Sequence, residues 1–380
     1  MRSSTRSAID PFIVMDVMQA AAAAEAAGRD IVHMEVGQPG TGAPKAAIDA
    51  ATRALRADAL GYTVALGLPA LRARIAQLYG EWYNLDLDPG RVIVTPGSSG
   101  AFILAFTALF DTGQKVGIGA PGYPSYRQIL KALALEPVDI PTQAAHFYQP
   151  IPEDLIGRDL AGLMVASPAN PTGTMLDLYR LSALSAACAD ANISLLSDEI
   201  YHGIEYDKKA VTALSVSDQC YVINSFSKYF SMTGWRVGWM VVPDHHVRLV
   251  ERIAQNMFIC APHVSQVAAL AAMDAVEELE HNMQVYRRNR QRMMTGLQEA
   301  GFTTFAPPDG AFYVYADVSE FTQDSRAFAS EILAQAGVAV TPGLDFDPAR
   351  GHKTLRFSYA RSTQDIEEGL SRLTRFIAER

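Results

Sequence analysis

From residue 91 onward, short apolar runs alternate with helical patterns, and this alternation restricts the fold more than any other feature of the chain. Residues 91–94, 115–119, 162–166, 193–197 and 220–224 read as strands, and helices are expected over 98–109, 126–134 and 177–191. Strands alternating with helices at this spacing predict a mostly parallel central sheet flanked by helices on both faces. Ligands bind such sheets outside the carboxyl ends of the strands. The residues just past 94, 166, 197 and 224 therefore matter most.

On either side of this block the style differs. Asp10-Pro11 predicts a helix start and Gly28 a stop, so residues 11–27 should be helical. A strand over 31–36 runs into the turn Gly37-Gln38-Pro39-Gly40, a loop able to bring its backbone onto a substrate. Pro44 and Pro69 open two more helices. Helices are expected over 244–257, 265–276 and 279–300, the last long enough to bridge two domains. Strands over 302–306, 311–317, 338–341 and 355–358, with helices over 325–336 and 363–378, predict a smaller α+β domain. The expected organisation is a segment 1–43 packing with the small domain, a large α/β domain 44–285 and a small α+β domain 286–380.

Composition narrows the class of protein. With 49% hydrophobic and 19% charged residues the chain is an ordinary globular protein of 380 residues, long enough for two domains. A net charge of −9 argues against nucleic acid as a partner but allows a local anion pocket. Cys188, Cys220 and Cys260 are widely spaced, which suits a reducing compartment rather than a disulfide or zinc framework. No apolar stretch has the length of a membrane span and no signal-peptide plan is visible, so a cytoplasmic protein without membrane contact is expected.

Four strand ends carry chemistry. Thr95-Pro96-Gly97-Ser98-Ser99-Gly100 opens a helix, and free N–H groups there suit a phosphate. Ser167-Pro168-Ala169-Asn170-Pro171 is a rigid loop presenting one amide side chain. Asp198 and Tyr201 follow the next strand, where a carboxylate can pair with a ring nitrogen. Ser225-Phe226-Ser227-Lys228, then Arg236, offers hydroxyls and a guanidinium for phosphate beside an amine. A buried lysine has a lowered pKa and is a usable nucleophile. An amine next to a phosphate site is what pyridoxal phosphate needs, since that cofactor is held as a Schiff base.

The set Tyr62, Gly97-Ser98-Ser99, Tyr123, Asn170-Pro-Thr-Gly, Asp198-Glu-Ile-Tyr201, Ser225-Phe-Ser-Lys228, Arg236 and Leu355-Arg356-Phe-Ser resembles the class I/II aminotransferases, of the aspartate-aminotransferase-like fold type I. The resemblance runs from about residue 30 to the C-terminus. It implies that Lys228 holds pyridoxal 5'-phosphate and then acts as the catalytic base, while Asp198 keeps the pyridine nitrogen protonated. Asn170 and Tyr201 would bond the ring oxygen, and Tyr123 would stack on the ring. Gly97, Ser98, Ser99, Ser225, Ser227 and Arg236 would hold the phosphate. Arg356 would clamp the substrate carboxylate, with Asn170 and Gly37 also at the substrate. Tyr62 would reach the phosphate of a second subunit, implying a homodimer.

The implied activity is ping-pong transfer of an amino group from an L-amino acid to a 2-oxo acid. A carbon–sulfur β-lyase on the same scaffold is the alternative. Some aspartate-using relatives carry a lysine near the phosphate turn. Here Ser98, Ser99 and Gly100 stand there, which favours a neutral or apolar donor. Phe12, Ile13, Phe258 and Phe312 could line its pocket, although their spacing fits core packing better.

Overall fold

The computed structural model describes residues 1–380. Twelve strands occur in chain order: β1 (Val32–His33), β2 (Val92–Thr95), β3 (Lys115–Ala120), β4 (Glu136–Pro141), β5 (Gly162–Ala166), β6 (Ser194–Asp198), β7 (Tyr221–Ser225), β8 (Gly238–Val241), β9 (Tyr313–Asp317), β10 (Val338–Ala339), β11 (Thr341–Pro342) and β12 (Thr354–Ser358). The helices are α1 (Ile13–Ala26), α2 (Lys45–Ala57), α3 (Pro69–Tyr83), α4 (Gly97–Leu109), α5 (Pro124–Ala132), α6 (Leu178–Asp190), α7 (Asp244–Met257), α8 (His263–Ala272), α9 (Val276–Glu299), α10 (Ser325–Ala336) and α11 (Thr363–Ala378).

Seven strands form the central sheet in the order β2-β8-β7-β6-β5-β3-β4. All run parallel except β8, which is antiparallel to both of its neighbours. The expected mostly parallel sheet flanked by helices is therefore present. Strands β2, β8 and β7 are buried along their whole length, because helices cover both faces of the sheet.

Two of the seven strands were not expected. β4 contains Pro137 and Pro141, and it is tolerated because it lies at the sheet edge, bonded only to β3. β8 begins at Gly238. It pairs Gly238 with Thr95 on one side and with Ser225 on the other. Its reversed direction brings the ends of β2 and β7 level although the two strands do not touch. A Cβ at Gly238 would stand 2.8 Å from the Asn224 carbonyl oxygen and 3.1 Å from Ser98 N, so this close approach requires glycine.

Beyond the 24-residue α9 the smaller unit contains the antiparallel sheet β11-β12-β9 with α10 and α11. The strand expected over 302–306 is absent; only Phe305 bridges to Ala316. The strand expected over 31–36 shrinks to β1, which pairs with β10 of the C-terminal part. Residues 34–37 continue as irregular chain toward the sheet, with Met34 O accepting from Ser358 N at 2.7 Å.

Candidate active site

A cavity of about 290 Å3 opens at the carboxyl ends of β2, β5, β6 and β7, where the sheet topology predicts a ligand. Ser98, Ser99, Tyr123, Asn170, Asp198, Tyr201, Ser227, Lys228, Arg236, Arg356 and Gly37 all line it. Residues spread over more than 300 positions thus meet in one place.

Lys228 and Asp198 carry opposite charges into it. Lys228 Nζ donates to the Gly37 carbonyl at 2.5 Å. Burial first, then repulsion by Arg356 and Arg236, holds its ammonium down at about 8 against the attraction of Asp198. Asp198 accepts from Ile200 N at 3.0 Å and from the Tyr126 hydroxyl. Its carboxyl is pushed up to about 6, since burial outweighs those two bonds and the attraction of Lys228. The two opposite charges attract, yet both are moved toward neutrality. Desolvation is the larger effect at this site, which is the usual signature of a functional pair.

One end of the cavity is built for an anion. The N-cap of α4 is Pro96, without a side-chain cap, so the first-turn N–H groups around Ser98 and Ser99 face the site. Gly97 has φ +72°, and a Cβ there would lie 2.4 Å from the Arg236 guanidinium, so the missing side chain is what seats Arg236. Ser227 completes this end. Ser225 stands behind it and does not line the cavity; its Oγ donates to Ser227 Oγ at 2.8 Å and accepts from Ser227 N at 3.0 Å. These bonds orient Ser227.

At the other end Arg356 is buried in β12 and aimed inward. Its Nη1 donates to Asn170 Oδ1 at 2.9 Å, and its Nη2 donates to the Glu35 carbonyl and, at 3.3 Å, to Thr341 Oγ1. The guanidinium lies 4.4 Å from the Tyr313 ring centre. Its Nε is buried with no partner, a donor that a carboxylate would satisfy. Gly37 is glycine for a steric reason, since a Cβ would fall 1.7 Å from the Tyr313 hydroxyl. That hydroxyl shares a 2.7 Å hydrogen bond with Tyr201.

Tyr62 does not reach this cavity. It is 82% exposed on the surface of the chain. Of the four candidate pocket residues, Phe12 lines the cavity, Ile13 and Phe258 are half-buried elsewhere, and Phe312 is core. Sequence reading missed Tyr126 and Tyr313. Tyr126 follows Tyr123 by three residues at the start of a helix, a spacing that puts both rings on one face. Their rings indeed meet edge to face at 5.3 Å. Tyr313 carries no such signal, because only the docking of β9 beside Gly37 gives it a role.

The cradle fits the group that the sequence suggests: an amine with a depressed pKa, a carboxylate across from it, an uncapped helix start with Arg236, and a spare guanidinium N–H. Comparisons with known proteins agree. The sequence pattern of the family "Aminotransferase class I and II" matches residues 29–373. The "Valine--pyruvate aminotransferase" of Mycobacterium tuberculosis is 46% identical over 98% of this chain and 97% of its own length. A solved structure from Silicibacter pomeroyi, 69% identical over 100% of both chains, superposes with a TM-score of 0.96. The aspartate aminotransferase of Thermus thermophilus with maleate, 30% identical over 99% of this chain and 100% of its own, superposes at 0.92.

Proposed function

The chain belongs to the class I and II aminotransferases, pyridoxal-phosphate enzymes that move an amino group from an amino acid to a 2-oxo acid, and from that premise we propose that its donor has a neutral, apolar side chain. One observation carries this reading: the only cations lining the cavity are Lys228, Arg236 and Arg356, and each already has a task. A second substrate carboxylate would find no partner in this chain and would be costly to bury. Phe12, Val14, Met15, Met18, Val36 and Ile200 line the cavity instead, surfaces suited to an aliphatic side chain. The relatives named above are aminotransferases, so the β-lyase alternative draws no support.

When bound, the cofactor supplies an aldehyde that takes up the amine and a ring that draws electrons from the substrate Cα. Lys228 Nζ would anchor that aldehyde and, once released, take the proton from Cα, a task its depressed pKa suits. Asp198, held by Tyr126, would face the ring nitrogen and keep a proton on it. Asn170 and Tyr201 would bond the ring oxygen, and Tyr123 would cover one ring face. Ser98, Ser99, Ser227 and Arg236 would hold the phosphate, with Ser225 and Gly97 supporting them. Arg356 would clamp the substrate carboxylate, and Gly37 would offer its backbone.

Three finer readings go with this one. A homodimer would let the exposed Tyr62 reach the phosphate of a second subunit's site. Of the division into 1–43, 44–285 and 286–380, the packing of the N-terminal segment with the small domain is supported by the β1–β10 pairing. A cytoplasmic setting is supported by three free cysteines, two of them buried. No helix is long and apolar enough to cross a membrane.

Steady-state rates over a panel of amino donors test the donor class. Valine with pyruvate is the first pair to try, since that is the name of the Mycobacterium tuberculosis relative. Valine, leucine or alanine should exceed aspartate in kcat/KM. A higher value for aspartate would refute the reading.

A further inference from the structure

α1 and its N-cap supply more of the cavity wall than any other helix: Phe12, Val14, Met15 and Met18. Their spacing keeps Val14, Met15 and Met18 on one face of the helix. Yet the sequence of α1 does not secure its own start, because Phe12 provides no side-chain cap. The missing acceptor comes from far along the chain. Asp345, buried in the turn between β11 and β12, accepts from Ile13 N at 3.0 Å and Val14 N at 3.2 Å. Two amide bonds and the positive end of the helix offset part of the cost of burying that carboxylate, and burial still holds it above the ordinary carboxylate value. None of the roles assigned above requires it.

The rest of α1 is also tied down. Glu25, near its C-terminal end, meets His33 Nε2 at 3.0 Å, and His33 Nδ1 meets Glu35 at 2.8 Å. Glu35 is the residue whose carbonyl holds Arg356. At the front, Phe12 packs edge to face on Tyr123 at 5.9 Å. The helix is thus anchored at both ends, and Met15 and Met18 are its adaptable surface, since thioether chains fit many shapes.

We propose that Asp345 is a positioning residue for substrate choice: by capping α1 from the smaller unit, it holds Met15 and Met18 at the cavity and sets the room for the donor side chain. The proposal rests on the reading of the cavity as a site for apolar donors. It goes further in assigning discrimination among those donors to the contact between α1 and the turn at Asp345. A longer aliphatic chain gains contact with the α1 wall, while a methyl group does not reach it.

The test is kcat/KM for alanine, valine and leucine, with one 2-oxo acid at saturation, in the cofactor-loaded wild type, Asp345→Ala, Asp345→Asn and Met15→Ala. In Asp345→Ala the leucine-over-alanine ratio should fall about tenfold, the scale of one or two methylene contacts, and chiefly through KM. Asparagine caps helices as well as aspartate, so Asp345→Asn should restore most of the ratio. Met15 is 53% exposed, so its truncation leaves the fold intact and should lower the ratio in the same direction. In the cofactor-free protein, amide exchange over residues 12–18 should quicken in Asp345→Ala and stay slow in Asp345→Asn. An unchanged ratio in either Asp345→Ala or Met15→Ala overturns the proposal, even if Asp345→Ala melts earlier, because a purely structural cap moves stability alone. A wild type that accepts no neutral donor would overturn the reading of the cavity as well, so the two failures are distinguishable.

Discussion

Asp198 shows how a site residue is held at a cost to the fold. Its carboxyl takes up a proton near pH 6 in the folded, cofactor-free chain, against an ordinary value of 3.8. Between those values the folded chain binds more protons than the unfolded one, so stability falls as pH rises through the window. Above it the deficit reaches about 3 kcal/mol. Asp198→Asn removes the charge and keeps an acceptor for Ile200 N. The variant should be more stable than the wild-type apoprotein by about 1–3 kcal/mol at pH 8, with a smaller gain at pH 5, while transamination is lost. Denaturant unfolding at the two pH values checks this. A gain that does not change with pH would mean that the Asp198 charge is not its source.

At the scale of elements, the antiparallel strand β8 is what assembles the site. It lies between β2 and β7 and sets the α4 start beside the Ser225–Lys228 loop, with Gly238 as the point of closest approach. Gly238→Ala should cost about 1–3 kcal/mol, as overpacking against backbone does, and should weaken binding of inorganic phosphate to the apoprotein. Gly234→Ala, with nothing within 4 Å of its Cβ position, should do neither. Unfolding curves and a phosphate titration would show whether the two glycines differ. The sequence did not reveal β8, because its four residues follow a Gly-Trp-Arg turn and carry no length or alternation to mark a strand. The proline-bearing β4 was hidden for a similar reason. By contrast, the parallel core strands were legible, since buried β-branched runs followed by small or polar residues form a local pattern. The residues at their ends were legible with them. Tyr313, Glu35 and Asp345 were not, because each acts through a partner brought near only by docking of the smaller unit.

For the whole molecule, two units meet at the cavity: the large sheet contributes Lys228, Asp198, Ser227 and Arg236, and the C-terminal unit contributes Arg356 and Tyr313, with Asp345 behind α1. If Tyr62 completes a second subunit's site, mixing a Lys228→Ala protein with a Tyr62→Ala protein should recover activity, because hybrid dimers contain one intact site. No recovery, or a protein that sediments as a monomer, would refute the shared site. The chemistry assigned to the cavity depends on Lys228 being the attachment point for the cofactor. The most direct test is the absorption spectrum of the purified protein reconstituted with pyridoxal phosphate, beside that of Lys228→Ala. The wild type should show a visible band that fades with an apolar amino acid and returns with a 2-oxo acid, and Lys228→Ala should lack that band. The same responsive band in Lys228→Ala, or a wild type that takes up no cofactor, would contradict the account.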